Sequence, residues 1–296
     1  MSFCEFSYHG QPGIAQICGT QVRIARDKYS LYDLLSDFET SADTFEKYVS
    51  SLFTEEMELT DWLLNVSFKK PFMPSNPMMG VVSGAGLTHR RAIRSRGLSW
   101  KDALAIQPEW FYKGNGCIVK TNDDDLIVPS FAGNGVEEIE IVALYYITRD
   151  KMPMRVGWTL GNEFYDRLSR KKHPNYLAQA KLMNCSVSAF IHLGEIPSSV
   201  TADVSIINND RQVVWSRKLS TGLDSIIYPL EELEDLLFRH DQFCQPGMLH
   251  YLYLGSDVAS FMDNKQLTDG DQIEVVSRWL PIPFINSIRL ENKIYA

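Results

Sequence analysis

The sequence predicts an α+β fold, mostly β, with a small N-terminal α/β module ahead of a larger β-rich domain. Three observations carry this expectation. Strand-length apolar or alternating runs recur at Met78–Val82, Val136–Ile147, Val156–Leu160, Val204–Ile207, Gln212–Trp215, Leu249–Leu254, Gln272–Val276 and Phe284–Leu290, with turn residues such as Gly270 between them. Helical spacing is dense before residue 70 and sparse after it. Three prolines fall within Pro71–Pro77, the best linker composition in the chain, and divide it into residues 1–70 and 78–296.

The leading module opens with short apolar runs from Ile14 to Arg26, broken by Gly19, which reads as a hairpin. Tyr29–Phe38, Thr44–Leu52 and Glu55–Phe68 show helical spacing, with Asp33, Ser41 and Thr54 as helix-start residues. Its leucines, phenylalanines and Trp62 are core positions, and nothing here points to chemistry.

Beyond the prolines, the strand Met78–Val82 runs into Ser83-Gly84-Ala85-Gly86-Leu87-Thr88-His89. A dinucleotide loop is excluded, because the third glycine of its pattern would fall on His89. The glycines instead permit close backbone approach at a strand end. His89 is either a locally hydrogen-bonded loop residue or a pocket residue. Arg90, Arg91, Arg94 and Arg96 make a basic helix start. Glu109-Trp110-Phe111-Tyr112-Lys113 is an aromatic strand edge, and its lysine is a candidate partner for an anionic substrate. Asn122–Asp125 reads as a solvated hairpin tip.

The second half of Val136–Ile147 is apolar over about the length of a strand buried on both faces, and its front carries Glu138 and Glu140. Residues two apart on a strand project to one side, so these carboxylates stand together. Such a pair is costly unless water screens it at a solvated strand end or a positive charge sits between the two. A hard divalent cation supplies that charge, since Mg²⁺, Mn²⁺ and Ca²⁺ prefer oxygen donors. Val156–Leu160 ends in Gly161-Asn162-Glu163, bringing a third acid to a strand end, with helical spacing from near Phe164. Lys181 follows on the next segment. An Asn208-Asn209-Asp210 hairpin and an amphipathic helix from Pro229 to about Arg239 precede the final strands.

Composition narrows the partners. The 296 residues carry a net charge of −8, which disfavours nucleic acid and anionic membrane surfaces. No apolar run approaches the roughly 18 residues of a membrane span, and the first residues lack the pattern of a secretory signal. Five scattered cysteines without a CxxC favour free thiols in a cytoplasmic protein.

Taken in order, Gly86-Leu87-Thr88-His89, Pro108–Lys113, Glu138-Ile139-Glu140, Gly161–Arg167, Lys181 and Leu267–Glu274 resemble the fumarylacetoacetate hydrolase superfamily across residues 78–296. Within it, Gly161-Asn162-Glu163-Phe164 is most similar to the branch linked to sugar-acid catabolism. The resemblance implies a catalytic domain of mixed, rolled β-sheets holding one Mg²⁺ or Mn²⁺, in a homodimer acting on a small-molecule 2-oxo acid. It implies Glu138, Glu140 and Glu163 as metal ligands, with Glu163 standing where most relatives have aspartate. Arg167 matches a substrate-side arginine and Lys181 a pocket lysine. One departure bears on the reaction: hydrolytic relatives carry a histidine in the helix that here reads Arg90-Arg91-Ala92-Ile93, near Ala92.

The expected activity is therefore that of a divalent-metal-dependent lyase dehydrating a 2-keto-3-deoxy sugar acid through a stabilised enolate. Lys181 is the candidate base. Arg167 or Lys113 holds the distal oxygens, and His89 is a further candidate for touching substrate. Hydrolysis of a 2,4-diketo acid, decarboxylation or isomerisation, and a fold kept without turnover are the alternatives.

Overall fold

A computed structural model describes residues 1–26, 30–39, 42–95, 97, 99–104 and 107–292. The first sheet contains β1 (Ser2–Tyr8), β2 (Gln11–Cys18), β3 (Gln21–Arg26), β4 (Glu55–Glu58) and β5 (Val66–Phe68), in the order β4-β3-β2-β1-β5. Helices α1 (Leu31–Phe38) and α2 (Ala42–Ser51) lie between β3 and β4. The expected Ile14–Arg26 hairpin is β2–β3, turning through Gly19 at φ +65°. Ser30, rather than Asp33, caps α1 by accepting from the Asp33 N–H. Ser41 lies outside the described residues, and Thr54 precedes a strand.

The helix expected over Glu55–Phe68 is instead β4, a short helix α3 (Leu59–Leu63) and β5. Pairing decides this. Glu55–Glu58 align with Ile24–Gln21 on the open edge of β3, turning their carboxylates outward and Met57 toward the core around Trp62.

The central sheet holds β6 (Gly80–Gly86), β7 (Glu109–Asn115), β8 (Val119–Lys120), β10 (Ile139–Ile147), β11 (Pro153–Asn162), β12 (Cys185–Val187), β13 (His192–Leu193) and β16 (Leu249–Tyr253). Its order is β7-β6-β16-β10-β11-β12-β8, with β13 also on β11, and the short helices α4 (Arg90–Ser95) and α5 (Trp100–Leu104) lie between β6 and β7. The third sheet, β15 (Val213–Thr221), β14 (Val200–Ile207), β17 (Gln272–Val276), β18 (Phe284–Leu290) and β9 (Asp125–Val128), runs in that order. The mixed, β-rich architecture is the one expected.

All nine residues of β10 are buried. Ile139, Ile141, Ala143 and Tyr145 pack toward the third sheet and helix α8 (Leu230–Phe238), against Leu126, Val204, Leu233 and Ile273. Val142, Leu144 and Tyr146 pack on the opposite side with Phe3, Ile14, Leu31 and Leu35. Each such side chain contributes roughly 1.5–3 kcal/mol of burial. The first sheet and its helices thus share a core with the central sheet. Pro229 caps α8, one place earlier than the first helical position expected for it.

One further expectation changes. Asn122–Asp125 is not a solvated hairpin tip, because it links β8 of the central sheet to β9 of the third. Asn122 is buried there, accepting from Ala189 N at 2.8 Å and donating to Pro283 O at 3.2 Å. The proline-rich segment is also anchored. Phe72 is fully buried, and its N–H and that of Leu31 both donate to Glu5 Oε1, at 2.9 and 3.3 Å. Among the described residues no helix is long and apolar enough to cross a membrane, and the five cysteines are free thiols.

Burial pushes the Glu5 carboxyl up to about 7, against the opposing pull of those two N–H groups. The native state therefore keeps a proton that the unfolded chain releases near 4.5, and stability falls as pH rises from about 4.5 to 7. Glu5→Gln keeps the acceptor oxygen and removes the charge. Its stability relative to wild type is expected to improve by about 3 kcal/mol between pH 4 and pH 8 in urea unfolding. A difference that does not change with pH would refute the buried-proton account.

Candidate metal centre and its cavity

The register of β10 against β11 builds the carboxylate cluster. Ile139 faces Asn162 and Glu140 faces Gly161 in the antiparallel ladder, and Glu163 N donates to Glu138 O at 2.8 Å. Glu138 and Glu163 therefore stand across from each other, one step beyond the strands, and Glu140 lies two residues further along the same face. One oxygen from each of the three carboxylates falls within a group no wider than 4.8 Å. Glu140 and Glu163 are buried, and Glu138 is partly exposed.

Two lysines converge on Glu163. Lys113, from β7, is fully buried and donates to Glu163 Oε1 at 2.6 Å, to Phe164 O at 2.5 Å and to Lys181 O at 2.9 Å. Lys181 ends helix α7 (Leu177–Lys181), where its Nζ donates to Glu163 Oε2 and lies 3.4 Å from Glu138 Oε2. The Lys181 ammonium also sits 3.7 Å from the centre of the Tyr165 ring and 4.6 Å from that of Phe111. Tyr165 donates to Glu138 Oε1 at 3.2 Å, and Gly255 N donates to Glu140 Oε2 at 2.7 Å.

Three carboxylates thus face two ammonium groups. Burial, then Glu138 and Glu163, push Glu140 well above the usual carboxylate range. Burial opposes ionisation of Glu163 too, but Lys113 and Lys181 outweigh it and hold that carboxyl low. For Lys181, burial is overcome by Glu163, Glu138 and Glu140, which hold its ammonium above the ordinary lysine value.

The residues fit a hard divalent cation. Oxygens coordinating one Mg²⁺ or Ca²⁺ at roughly 2.0–2.6 Å lie at most about 4–5 Å apart, the spread seen for the three glutamates. A 2+ charge would also offset the burial and the like-charge crowding that disfavour ionisation of Glu140.

Glu138 and Glu140 line a cavity of about 470 Å³ together with Lys181, Tyr165, Arg167 and Arg170, while Glu163 is buried behind them. Arg167 opens helix α6 (Arg167–Lys172), which Asp166 caps by accepting from Ser169 N at 3.0 Å. The helix expected from Phe164 starts later because Tyr165 is still extended, bridged to Val136. Gly84 and Gly86 make room at the far wall. A Cβ on Gly84 would meet the Phe111 ring at 2.5 Å, and one on Gly86 would collide with Glu109 Oε2.

Two sequence candidates lie elsewhere. Lys113 does not line the cavity, and its ammonium is directed to three protein oxygens, Glu163 Oε1, Phe164 O and Lys181 O. Its nearest carboxylate is that of Glu163. His89 is buried outside the cavity, with Nδ1 at 3.0 Å from Thr88 Oγ1 and Nε2 at 3.1 Å from Thr221 Oγ1. Burial lowers its pKa to about 4, so it is neutral at physiological pH.

Other contributors were missed. Arg170 Nη2 binds Glu109 at 2.6 and 2.8 Å across the cavity, pairing residues 61 apart in sequence. Tyr165, Phe111 and the 255–264 turn also belong to the walls. The Pro108–Lys113 motif signals Glu109 and Phe111, but nothing local names their partners.

The mixed, β-rich architecture is consistent with a fumarylacetoacetate hydrolase-like fold, and its three-carboxylate cluster adjoins a cavity also lined by Arg167, Arg170 and Lys181. No protein-family model matches the chain, and no curated protein matches it. Solved structures do. 2-Keto-3-deoxy-D-arabinonate dehydratase complexed with magnesium and 2,5-dioxopentanoate is 18% identical, with a TM-score of 0.71 over 99% of this chain and 100% of that one. Its apo form gives 17% and 0.72 over the same shares. A 5-carboxymethyl-2-hydroxymuconate delta-isomerase from Mycobacterium smegmatis gives 13% and 0.62, covering 98% of this chain and 100% of that one. These neighbours are enzymes, and at such identities the likeness establishes the fold.

Lys113→Met removes the donor to Glu163 Oε1 and to two carbonyls, leaving Lys181 alone on that carboxylate, and is expected to cost about 3 kcal/mol in urea unfolding. Mg²⁺ at 100 times its Kd is expected to stabilise the wild type by about 2.7 kcal/mol. Glu140→Gln should lose most of that gain in a thermal melt. Equal stabilisation of both proteins would remove Glu140 from the ligand set.

Proposed function

We propose that the protein is a divalent-metal-dependent lyase that dehydrates a 2-keto-3-deoxy sugar acid, with Glu138, Glu140 and Glu163 holding Mg²⁺, or Mn²⁺ or Ca²⁺ in its place. The observation that carries the proposal is Lys181, buried at the junction of the carboxylate cluster and the cavity, with its Nζ against Glu163 and Glu138. The dehydratase neighbour bound to magnesium and 2,5-dioxopentanoate, matched over nearly the whole chain, supports it. We assign the protein to the cytoplasm on its scattered free cysteines, and to a homodimer on the family resemblance.

The cation supplies a Lewis acid for the 2-oxo acid head and a positive charge against which Lys181 can give up its proton. Lys181, as the amine, takes a proton from C3 of the substrate, and the electron pair it leaves forms the enolate. The enolate collapses to restore the C2 carbonyl as a C3–C4 double bond forms and the C4–oxygen bond breaks. Lys181 returns its proton to the departing hydroxide, so one water leaves and the lysine is reset. Arg167 orients the distal oxygens from the cavity wall. Lys113 keeps Glu163 ionised and aimed.

Hydrolysis of a 2,4-diketo acid needs a group to activate water. No histidine among the described residues lines the cavity, and Ala92 lines it near the place where hydrolytic relatives carry one. This favours dehydration.

Turnover is expected with a panel of 2-keto-3-deoxy acids, dependent on Mg²⁺ and followed by the carbonyl product. Lys181→Ala should lower kcat by about 10²–10⁴-fold while keeping stabilisation by Mg²⁺. Retained activity in that variant would dismiss Lys181 as the base. Turnover of acylpyruvates alone would move the assignment to the hydrolases.

A further inference from the structure

Glu137 is a buried carboxylate that the mechanism above leaves unused. It sits between Val136 and Glu138, so on extended backbone its side chain points away from the carboxylate cluster. Only 1% of Glu137 is exposed, and its two oxygens are taken by one residue: Oε1 accepts from Ser260 N at 2.5 Å and Oε2 from Ser260 Oγ at 2.9 Å. Ser260, also 1% exposed, opens the turn Ser260–Asp263. Ala259, Phe261, Met262 and Asn264 on and beside that turn line the cavity.

The surrounding contacts make this a clamp between the ligand strand and the opposite wall. Val136, Tyr165 and Ala259 form a small buried cluster with Phe261 packed on it. The start of the 255–264 segment is held separately, where Gly255 N donates to Glu140 Oε2. The Phe261 ring lies 5.4 Å from the Arg167 guanidinium carbon. Among the described residues Arg167 forms no ion pair with a carboxylate, whereas Arg170 beside it is committed to Glu109. The path Glu137, Ser260, Phe261, Arg167 therefore links the segment bearing Glu138 and Glu140 to a cavity cation with no carboxylate ion pair among the described residues.

We propose that Glu137 is a positioning residue which, by clamping Ser260, fixes the Phe261 wall and the aim of Arg167, and so sets how tightly the site holds the distal end of its 2-oxo acid. The assignment of a substrate rests on the lyase function proposed above, but the clamp itself does not. Geometry this close to reacting atoms matters, since a displacement of about 1 Å can cost up to about 10²-fold.

The test compares full-length wild type, Glu137→Ala, Glu137→Gln, Ser260→Ala and the double Glu137→Ala/Ser260→Ala, all with Mg²⁺. Glu137→Ala is expected to raise KM for a 2-keto-3-deoxy acid by about tenfold or more while kcat changes far less. Inhibition by oxalate, which has no distal end, should be unchanged. Glu137→Gln should restore KM, because its amide can accept from Ser260 N and donate to Oγ. The double variant should be no worse than Glu137→Ala, as expected of one shared interaction. A fall in kcat at unchanged KM, or an equal loss of oxalate inhibition, would overturn the proposal.

Amide hydrogen exchange over residues 255–264 supplies a readout independent of turnover. Faster exchange in Glu137→Ala, restored in Glu137→Gln, supports the clamp, and unchanged exchange overturns it. If the wild type turns over no substrate on the panel, the lyase function fails and exchange alone decides the clamp.

Discussion

Glu138, Glu140 and Glu163 bring three carboxyl groups into a space no wider than 4.8 Å, two of them buried. Backbone pairing forces this, because the register of β10 on β11 places Glu163 across from Glu138 and Gly161 across from Glu140. A ladder that tight cannot relax by spreading its side chains. The neighbours must compensate, and they do so in layers: Lys113 from beneath, Lys181 from the side, the Gly255 N–H and the Tyr165 hydroxyl from the rim. Much of the buried polar structure on this face answers that one concentration of charge.

The two lysines answer it differently. Lys113 has no exposure and spends its donors on Glu163 and two carbonyls, so it behaves as part of the frame. Lys181 touches the same carboxylate from the cavity side, against two aromatic rings, where a change in local charge alters its protonation. A Glu at position 163 has the length to reach both lysines at once, one through each oxygen.

Most strands were legible because their apolar runs are bounded by turns, and the clustering of Glu138 with Glu140 was legible because a two-residue spacing has one meaning on a strand. Glu163 followed from a similar strand end. Local pattern could not show that Lys113 is walled in, that His89 turns toward Thr221, or that Glu109 reaches Arg170, since each depends on a partner distant in sequence. The misread stretch Glu55–Phe68 is instructive for the same reason. Its Leu59, Trp62 and Leu63 do form a helical turn, but the open edge of β3 captures the glutamates before them and β1 captures the residues after. Tertiary pairing overrode spacing.

The position of β16 has a consequence for biosynthesis. This strand, Leu249–Tyr253, lies between β10 and β6 and pairs with both, yet more than a hundred residues separate it from the start of β10. During translation β10 and β11 can join as a hairpin, but the other edge of β10 stays open until β16 leaves the ribosome. The uncovered edge, Val142–Tyr146, is entirely apolar or aromatic and is a template for wrong partners. The nascent chain therefore passes through a long interval in which its most buried strand is its most adhesive one, and chaperone capture would be most useful there.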